Sequence, residues 1–373
     1  MERSIGGGTC SRLHCRALFA SSSVRDPLVV GFSRCTHCVV NDETSHAQLI
    51  LTVDRARRSA GGILRRFRSS DTRRGGRGVG DQRRRKKRGE ENRGDSMSSG
   101  GELALRQEYV IGDEIGRGRF GTVRRCYAVA TGEAFAVKST PKAPLREAEA
   151  ADALDLALAE QEPKVHLVAS APGPGASPHV VALHAAFEDD AAVHLVVDLC
   201  AGGDLLSLVS SRGRLPEHEA AGLTAQLASA LASCHRRGVA HRDVKPDNLL
   251  FDGGGVLKLG DFGSAGWFGD GRPMTGLVGT PYYVAPEVVA GREYGEKVDV
   301  WSAGVVLYMM LSGTLPFYGA TAAEVFQCVL RGNLRFPPRA FASVSPEAKD
   351  LMRRMLCKDV SRRFSADQVL STH

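Results

Sequence analysis

Ile115-Gly116-Arg117-Gly118-Arg119-Phe120-Gly121-Thr122-Val123 sets three glycines in the spacing G-x-G-x-x-G-x-V. Without a Cβ, such a turn lets backbone N–H groups approach a polyphosphate where any side chain would collide. A dinucleotide-binding turn uses the same spacing but leads into a helix. Here 122–129 alternates as a strand does, so a strand–loop–strand is expected. Lys138 closes the apolar run Phe135-Ala136-Val137, at the distance where a phosphate-gripping ammonium is needed. His241-Arg242-Asp243-Val244-Lys245-Pro246-Asp247-Asn248 supplies a carboxylate base, a lysine two residues on and an asparagine five residues on. Packing alone has no use for that combination. Asp261-Phe262-Gly263 puts a carboxylate on a tight turn after Leu257-Lys258-Leu259, suited to Mg²⁺. Ala285-Pro286-Glu287 closes the segment, and Asp299-Val300-Trp301 opens an apolar helix.

Elements must hold these residues in place. Residues 109–115, 122–129 and 134–138 read as three short strands separated by glycine-bearing turns, with 180–187 and 193–199 as further strands. Alanine- and leucine-rich 145–168 reads as a helix. Beyond Asp204 helical patterns dominate: 205–211, 217–237, 298–312, 322–331, 345–357 and 365–370. Strands first and helices after indicate an α+β chain of two lobes. The uncharged stretch 301–323 has nominal membrane length, but Gly304, Gly313, Gly319 and Pro316 interrupt it, so a buried helix followed by a loop is expected.

Charge divides the chain at Met97. Residues 1–96 carry 21 Lys/Arg against 10 Asp/Glu, net +11, and the rest carry 28 against 32, net −4. The basicity therefore sits outside the patterned region, which removes the electrostatic argument for a nucleic-acid-binding domain. The leader has no sustained period, and disorder is expected of it. Its run Arg83-Arg84-Arg85-Lys86-Lys87-Arg88 would suit nuclear localisation, its opening an organelle transit peptide, and Cys10, Cys15, Cys35 and Cys38 a zinc site. The simpler expectation is that Met97 is the real start. The five later cysteines (Cys126, Cys200, Cys234, Cys328, Cys357) lack paired spacing, as in a reduced intracellular chain.

In order and spacing, these motifs resemble those of eukaryotic protein kinases from about Tyr109 onward. The resemblance implies a bilobal fold: a short segment 97–108, a β-rich lobe 109–198 and a helical lobe 199–373. It also implies ATP and Mg²⁺. Gly116, Gly118 and Gly121 would cover the phosphates, and Ile115, Arg117, Val123 and Ala136 would border the nucleotide. Lys138 would hold the α/β-phosphates and pair with Glu162, or failing that Glu160. Asp243 would accept the proton of the substrate hydroxyl, Lys245 would stabilise the moving phosphoryl group, and Asn248 and Asp261 would bind Mg²⁺. Arg363 would bridge Glu287, and Asp299 would serve structure.

Lys245 and Gly279-Thr280-Pro281-Tyr282-Tyr283 are similar to Ser/Thr kinases, and the stretch 195–205 is similar to the calmodulin-dependent group. By that likeness Val197 is the gatekeeper, Asp198 and Cys200 offer backbone bonds to adenine, and Asp204 and Asp247 receive a basic residue of the target. Thr280 would border that substrate site. The stretches 260–272, 278–287, 291–301, 331–337 and 358–365 resemble plant phosphoenolpyruvate carboxylase kinases, which are similar to calcium-dependent kinases reduced to the catalytic domain. No D-x-[DN]-x-[DN]-G loop occurs, so direct calcium binding is not expected. The resemblance implies a cytoplasmic monomer that phosphorylates a Ser near the N-terminus of phosphoenolpyruvate carboxylase and relieves its malate inhibition. Control would be by the amount of kinase, with Thr275 unmodified although Arg242 could receive a phosphate there.

Four features depart from the pattern. Pro163 follows Glu162, where it would clash unless the helix begins or bends there. His166 replaces an apolar residue and is expected buried and neutral. The stretch 169–178, with Pro172, Gly173, Pro174, Gly175 and Pro178, looks like an inserted, flexible excursion. The chain stops at Leu370-Ser371-Thr372-His373, where relatives continue, so the last helix is expected to lack a packing anchor.

Overall fold

The computed structural model describes residues 100–118, 121–142, 153–269 and 273–372. The leader with its cysteines and basic run, Arg119 and Phe120, the first part of the expected helix (145–152) and 270–272 lie outside the described residues.

Strands β1 (Tyr109–Arg117), β2 (Thr122–Ala128), β3 (Ala134–Pro141), β4 (Leu183–Glu188) and β5 (Ala192–Asp198) form an antiparallel sheet in the order β1-β2-β3-β5-β4. Side chains alternate between its faces. On one face Cys126, Phe135, Val137 and Val196 pack with Leu105. The other face carries Lys138 in register with Val123 and Leu195, and Ala136 opposite Val197. Leu105 comes from α1 (Gly100–Glu108), a helix within the short segment expected ahead of the β-rich lobe. Its first N–H groups, on Gly101 and Glu102, donate to the Asp189 carboxylate at 2.8 and 3.2 Å. The cap thus comes from the β4–β5 turn, where no local sequence signal could announce it.

Helix α2 (Ala153–Ala169) runs through Pro163 without interruption, so it does not begin at the proline. The fourth strand begins at Leu183 rather than Val180, which makes only an isolated parallel bridge to Leu259. The expected excursion after α2 is fastened rather than loose. Arg237 donates to the carbonyls of Ala171 (3.0 Å) and Gly175 (3.2 Å), and the Ser177 and Ser229 hydroxyls meet at 2.9 Å.

The second lobe contains α3 (Leu205–Arg212), α4 (Glu217–Arg236), α5 (Pro286–Val289), α6 (Lys297–Ser312), α7 (Ala322–Arg331), α8 (Pro338–Phe341), α9 (Pro346–Met355) and α10 (Ala366–Leu370). Two small antiparallel pairs carry the loops between α4 and α5: β6 (Val239–Ala240) with β9 (Gly266–Trp267), and β7 (Leu249–Phe251) with β8 (Leu257–Leu259). Helix α6 is buried from Val298 to Leu311, the buried helix expected from its composition. No helix among the described residues is long and apolar enough to cross a membrane. The last helix is anchored after all: Ala366 and Val369 are buried, Ser365 and Gln368 form a capping box, and Arg236 pairs with Asp367 at 2.6 Å.

Candidate active site

Strand β3, helix α2 and the turn after β8 converge on one ammonium. Lys138 Nζ lies 2.7 Å from Glu162 Oε1 and 2.6 Å from Asp261 Oδ1. The alternative partner Glu160 approaches Lys142 instead, at 4.0 Å. Burial opposes the charge on Lys138, but the two carboxylates outweigh it and hold its pKa above the usual lysine value. Lys138 in turn holds the Asp261 carboxyl far below the carboxylate range, against burial. Asp261 sits at φ 56°, a left-handed conformation uncommon for a side-chain-bearing residue, and its side chain accepts from the Gly263 N–H.

A second cluster surrounds Asp243. Its Oδ2 is 2.8 Å from Lys245 Nζ, and its Oδ1 accepts from the Thr280 hydroxyl at 2.7 Å. Lys245 also donates to Thr280 Oγ1 at 3.2 Å. Asn248 Nδ2 donates to the Asp243 carbonyl at 2.9 Å, so of its two amide atoms the oxygen is the one able to accept a cation. Close approach of the chain is enforced by Gly279, where a Cβ would lie 2.6 Å from the Arg242 carbonyl oxygen. Beneath the loop, Asp299 is wholly buried and accepts from the backbone N–H of His241 (2.8 Å), that of Arg242 (2.7 Å) and His235 Nε2 (2.8 Å). Despite burial, those donors keep its carboxyl below the usual value. Sequence reading placed Asp299 as structural but missed His235, a lone histidine with no motif around it.

The glycine hairpin closes through a bond from the Gly118 N–H to the Gly121 carbonyl at 2.9 Å, as a strand–loop–strand. Only one of its three glycines is required by the protein itself. A Cβ on Gly121 would lie 2.0 Å from the Ser139 carbonyl oxygen, whereas Gly116 and Gly118 have nothing nearer than 3.8 Å. A Cβ at those two positions would make ordinary van der Waals contact, with Val123 Cβ and the Gly121 carbonyl oxygen, both at 3.8 Å. Arg117 points to Glu114, at 3.0 Å, and Ile115 is exposed.

At the junction of the lobes, Asp198 uses its side chain as a staple. Its Oδ1 is 2.7 Å from His184 Nε2, and its Oδ2 is 2.9 Å from Lys258 Nζ and 3.1 Å from the Ala182 N–H. Burial opposes its charge, but these donors hold its carboxyl well below the usual range. His184 and Lys258 were not foreseen. The Cys200 thiol is pushed up to about 11 by burial. Asp204 caps α3, with Oδ1 accepting from the Ser207 N–H (2.7 Å) and Oδ2 from its hydroxyl (3.0 Å). It lies close enough to Asp247 that partial burial, with Asp204 and Asp243, pushes the Asp247 carboxyl up.

Three rings pack together in the site. Phe262 lies against His166 (centroids 4.5 Å apart, 22° between planes) and edge-on to His241 (5.0 Å). His166 Nε2 donates to the Val181 carbonyl at 2.8 Å, its Nδ1 is buried with no partner, and burial lowers its pKa to about 4. The ring is therefore neutral, as expected. Further out, the Arg363 guanidinium grips Glu287 with two bonds, 2.5 and 2.8 Å, and lies over the Trp301 ring. Arg242 donates to the Ser264 and Ala265 carbonyls at 2.7 and 3.2 Å, and Tyr294 Oη donates to the carbonyls of Thr275 and Gly276.

Hard oxygen donors at Asp261 and Asn248 fit Mg²⁺, which is commonly held by one or two protein oxygens together with phosphate oxygens and water. Among the described residues no group of three or more His, Cys, Asp or Glu side chains could hold a metal without such help.

Residues 109–373 match the family model described as "Protein kinase domain". Calcium-dependent protein kinase 25 of Arabidopsis thaliana is 41% identical over 269 residues, 71% of this chain and 50% of that protein. Serine/threonine-protein kinase PEPKR2 of Arabidopsis thaliana is 40% identical over 275 residues, 74% of this chain and 55% of that protein. Calcium-dependent protein kinase 10 of Oryza sativa subsp. japonica is 40% identical over 72% of this chain and 43% of its own length. The chain spans about half the length of the curated relatives it matches.

Proposed function

The chain belongs to the protein kinase family, and from that premise we propose that it transfers the γ-phosphoryl group of ATP to serine or threonine hydroxyls of a protein. The observation that carries the reading is the cluster in which Asp243 meets both Lys245 and Thr280. Its carboxylate is a base held by two donors, ready to orient a substrate hydroxyl and take its proton. The adjacent ammonium of Lys245 offsets negative charge on the group in transfer. Lys138, carried by β3 and fixed by Glu162, supplies a second cation for the phosphates. Gly116 and Gly118, free of any steric demand from the protein, would offer backbone N–H groups to them. Asp261 and Asn248 would hold Mg²⁺, which when bound neutralises phosphate charge. Val197, Ala136 and Val123 offer an apolar face to adenine, with the backbone of Asp198 and Cys200 as its polar edge.

The target we propose is a Ser near the N-terminus of phosphoenolpyruvate carboxylase. The crowded acids Asp204, Asp243 and Asp247 favour a cationic residue in the peptide. Arg242 already donates to the Ser264 and Ala265 carbonyls, which supports activity without phosphate on Thr275. The enzyme would act in the cytoplasm as a monomer, without direct calcium binding. The test incubates the protein with Mg²⁺, ATP, a calcium chelator and intact carboxylase, against a carboxylase whose N-terminal Ser is replaced by Ala. Label on the first alone is expected. Label on a generic basic Ser peptide but on neither carboxylase would keep the chemistry and remove the named target. No label on any acceptor would overturn the phosphotransferase reading.

A further inference from the structure

We propose that Arg237, at the C-terminal cap of α4, is a positioning residue for phosphoryl transfer: it holds helix α2 where Glu162 meets Lys138. The inference rests on the phosphotransferase reading above. Glu162 directly precedes Pro163 inside α2. Proline has no N–H to give the Ala159 carbonyl, so the helix is weakest in the turn that carries its functional carboxylate. The segment after α2 is poor in pairing of its own. Between Ala171 and Pro178 three prolines and two glycines interrupt the backbone, and the bond from the Ala176 N–H to the Gly173 carbonyl is internal to the loop.

The support comes from the second lobe. Arg237 Nη2 donates to the Ala171 carbonyl at 3.0 Å, two residues beyond the end of α2, and Nη1 donates to the Gly175 carbonyl at 3.2 Å. Nη1 also reaches the Ser233 carbonyl (3.0 Å) and hydroxyl (2.5 Å), which ties the guanidinium to the last turn of α4. A cation there is favoured by the helix dipole. Arg236 adds a bond to the Gly175 carbonyl at 3.4 Å, and His179 Nδ1 one to the Leu257 carbonyl at 2.9 Å. The planar fork suits this bridging, because its two arms reach carbonyls on both sides of Pro172 while still holding Ser233. The helix of Glu162 is thereby referenced to the second lobe, while Lys138 belongs to the sheet. Their ion pair thus joins a helix tied to the second lobe and a strand of the sheet.

The test compares the full chain with Arg237→Ala and Arg237→Lys by amide hydrogen exchange without nucleotide, and by steady-state kinetics. Losing hydrogen bonds from a charged donor is expected to speed exchange in 153–171 by about tenfold or more, with 217–230 unchanged. The KM for ATP should rise while the KM for a peptide acceptor stays level, and lysine should not restore either readout. Unchanged exchange in 153–171, or exchange raised equally throughout the chain, would overturn the proposal. A wild-type chain that transfers no phosphate would overturn the phosphotransferase reading and the kinetic half with it. The exchange comparison needs no nucleotide and decides separately whether Arg237 holds α2.

Discussion

Lys138 bridges two carboxylates of unlike duty: Glu162 fixes the ammonium, and Asp261 faces the cleft. Replacing Asp261 by Asn keeps the shape and removes the charge suited to Mg²⁺. The rate of phosphoryl transfer should fall by at least about two orders of magnitude in steady-state assays, with the fold intact by circular dichroism. An undiminished rate would remove Asp261 from the mechanism. His166 makes a prediction of the opposite kind, about stability. Its pKa is about 4 in the folded chain against an ordinary value near 6.5. Between those values the unfolded chain binds a proton that the folded chain refuses, so stability falls as the pH drops from about 6.5 to 4. At about 1.4 kcal/mol per unit, this amounts to roughly 3 kcal/mol. Urea denaturation of His166→Leu across that range should lack this part of the acid slope; equal slopes would refute the assignment. The neutral state of His166 was legible from the resemblance to kinases, which place an apolar residue at its position. Its contact with Phe262 was not, because stacking joins residues far apart in the chain.

Among the elements, the β1–β2 hairpin has the sharpest sequence signature and an unforeseen division of labour. Gly121 is dictated by the Ser139 carbonyl behind it, and Gly118 is not. Gly121→Ala should displace the hairpin and lower kcat/KM for ATP by roughly tenfold to a hundredfold. It should also lower the melting temperature, which Gly118→Ala should leave nearly unchanged. Equal melting of the two variants would contradict this division. Strands and long helices were legible because their periods are local. Helix α1 was not, since Gly100–Glu108 has few apolar residues and takes its N-terminal partner from Asp189. The same holds for the segment after α2. Its prolines and glycines mark a loop, but only the folded chain brings Arg237 to Ala171 and Gly175.

Across the whole molecule, buried or half-buried charges tie distant segments together. Asp198 links β5 to β8 through Lys258, and Arg363 links the start of α10 to α5 through Glu287. Arg363 is 1% exposed and Glu287 6%. Arg363→Ala would leave the carboxylate buried and unpaired, and should cost about 3–5 kcal/mol in denaturant unfolding. A loss under about 1 kcal/mol would mean that water reaches Glu287. The Glu287 pairing could be expected from the resemblance to kinases, whereas the hinge staple could not, since His184 and Lys258 belong to no pattern. The bonds from α4 to the segment after α2 also impose an order on biosynthesis. A chain emerges from the ribosome N-terminus first, so the helix of Glu162 is translated before the arginine that secures it. A nascent chain halted ahead of Arg237 would expose α2 to proteases, and release of the next stretch would protect it. Maturation of the half that carries Lys138 and Glu162 thus waits on the half translated after it.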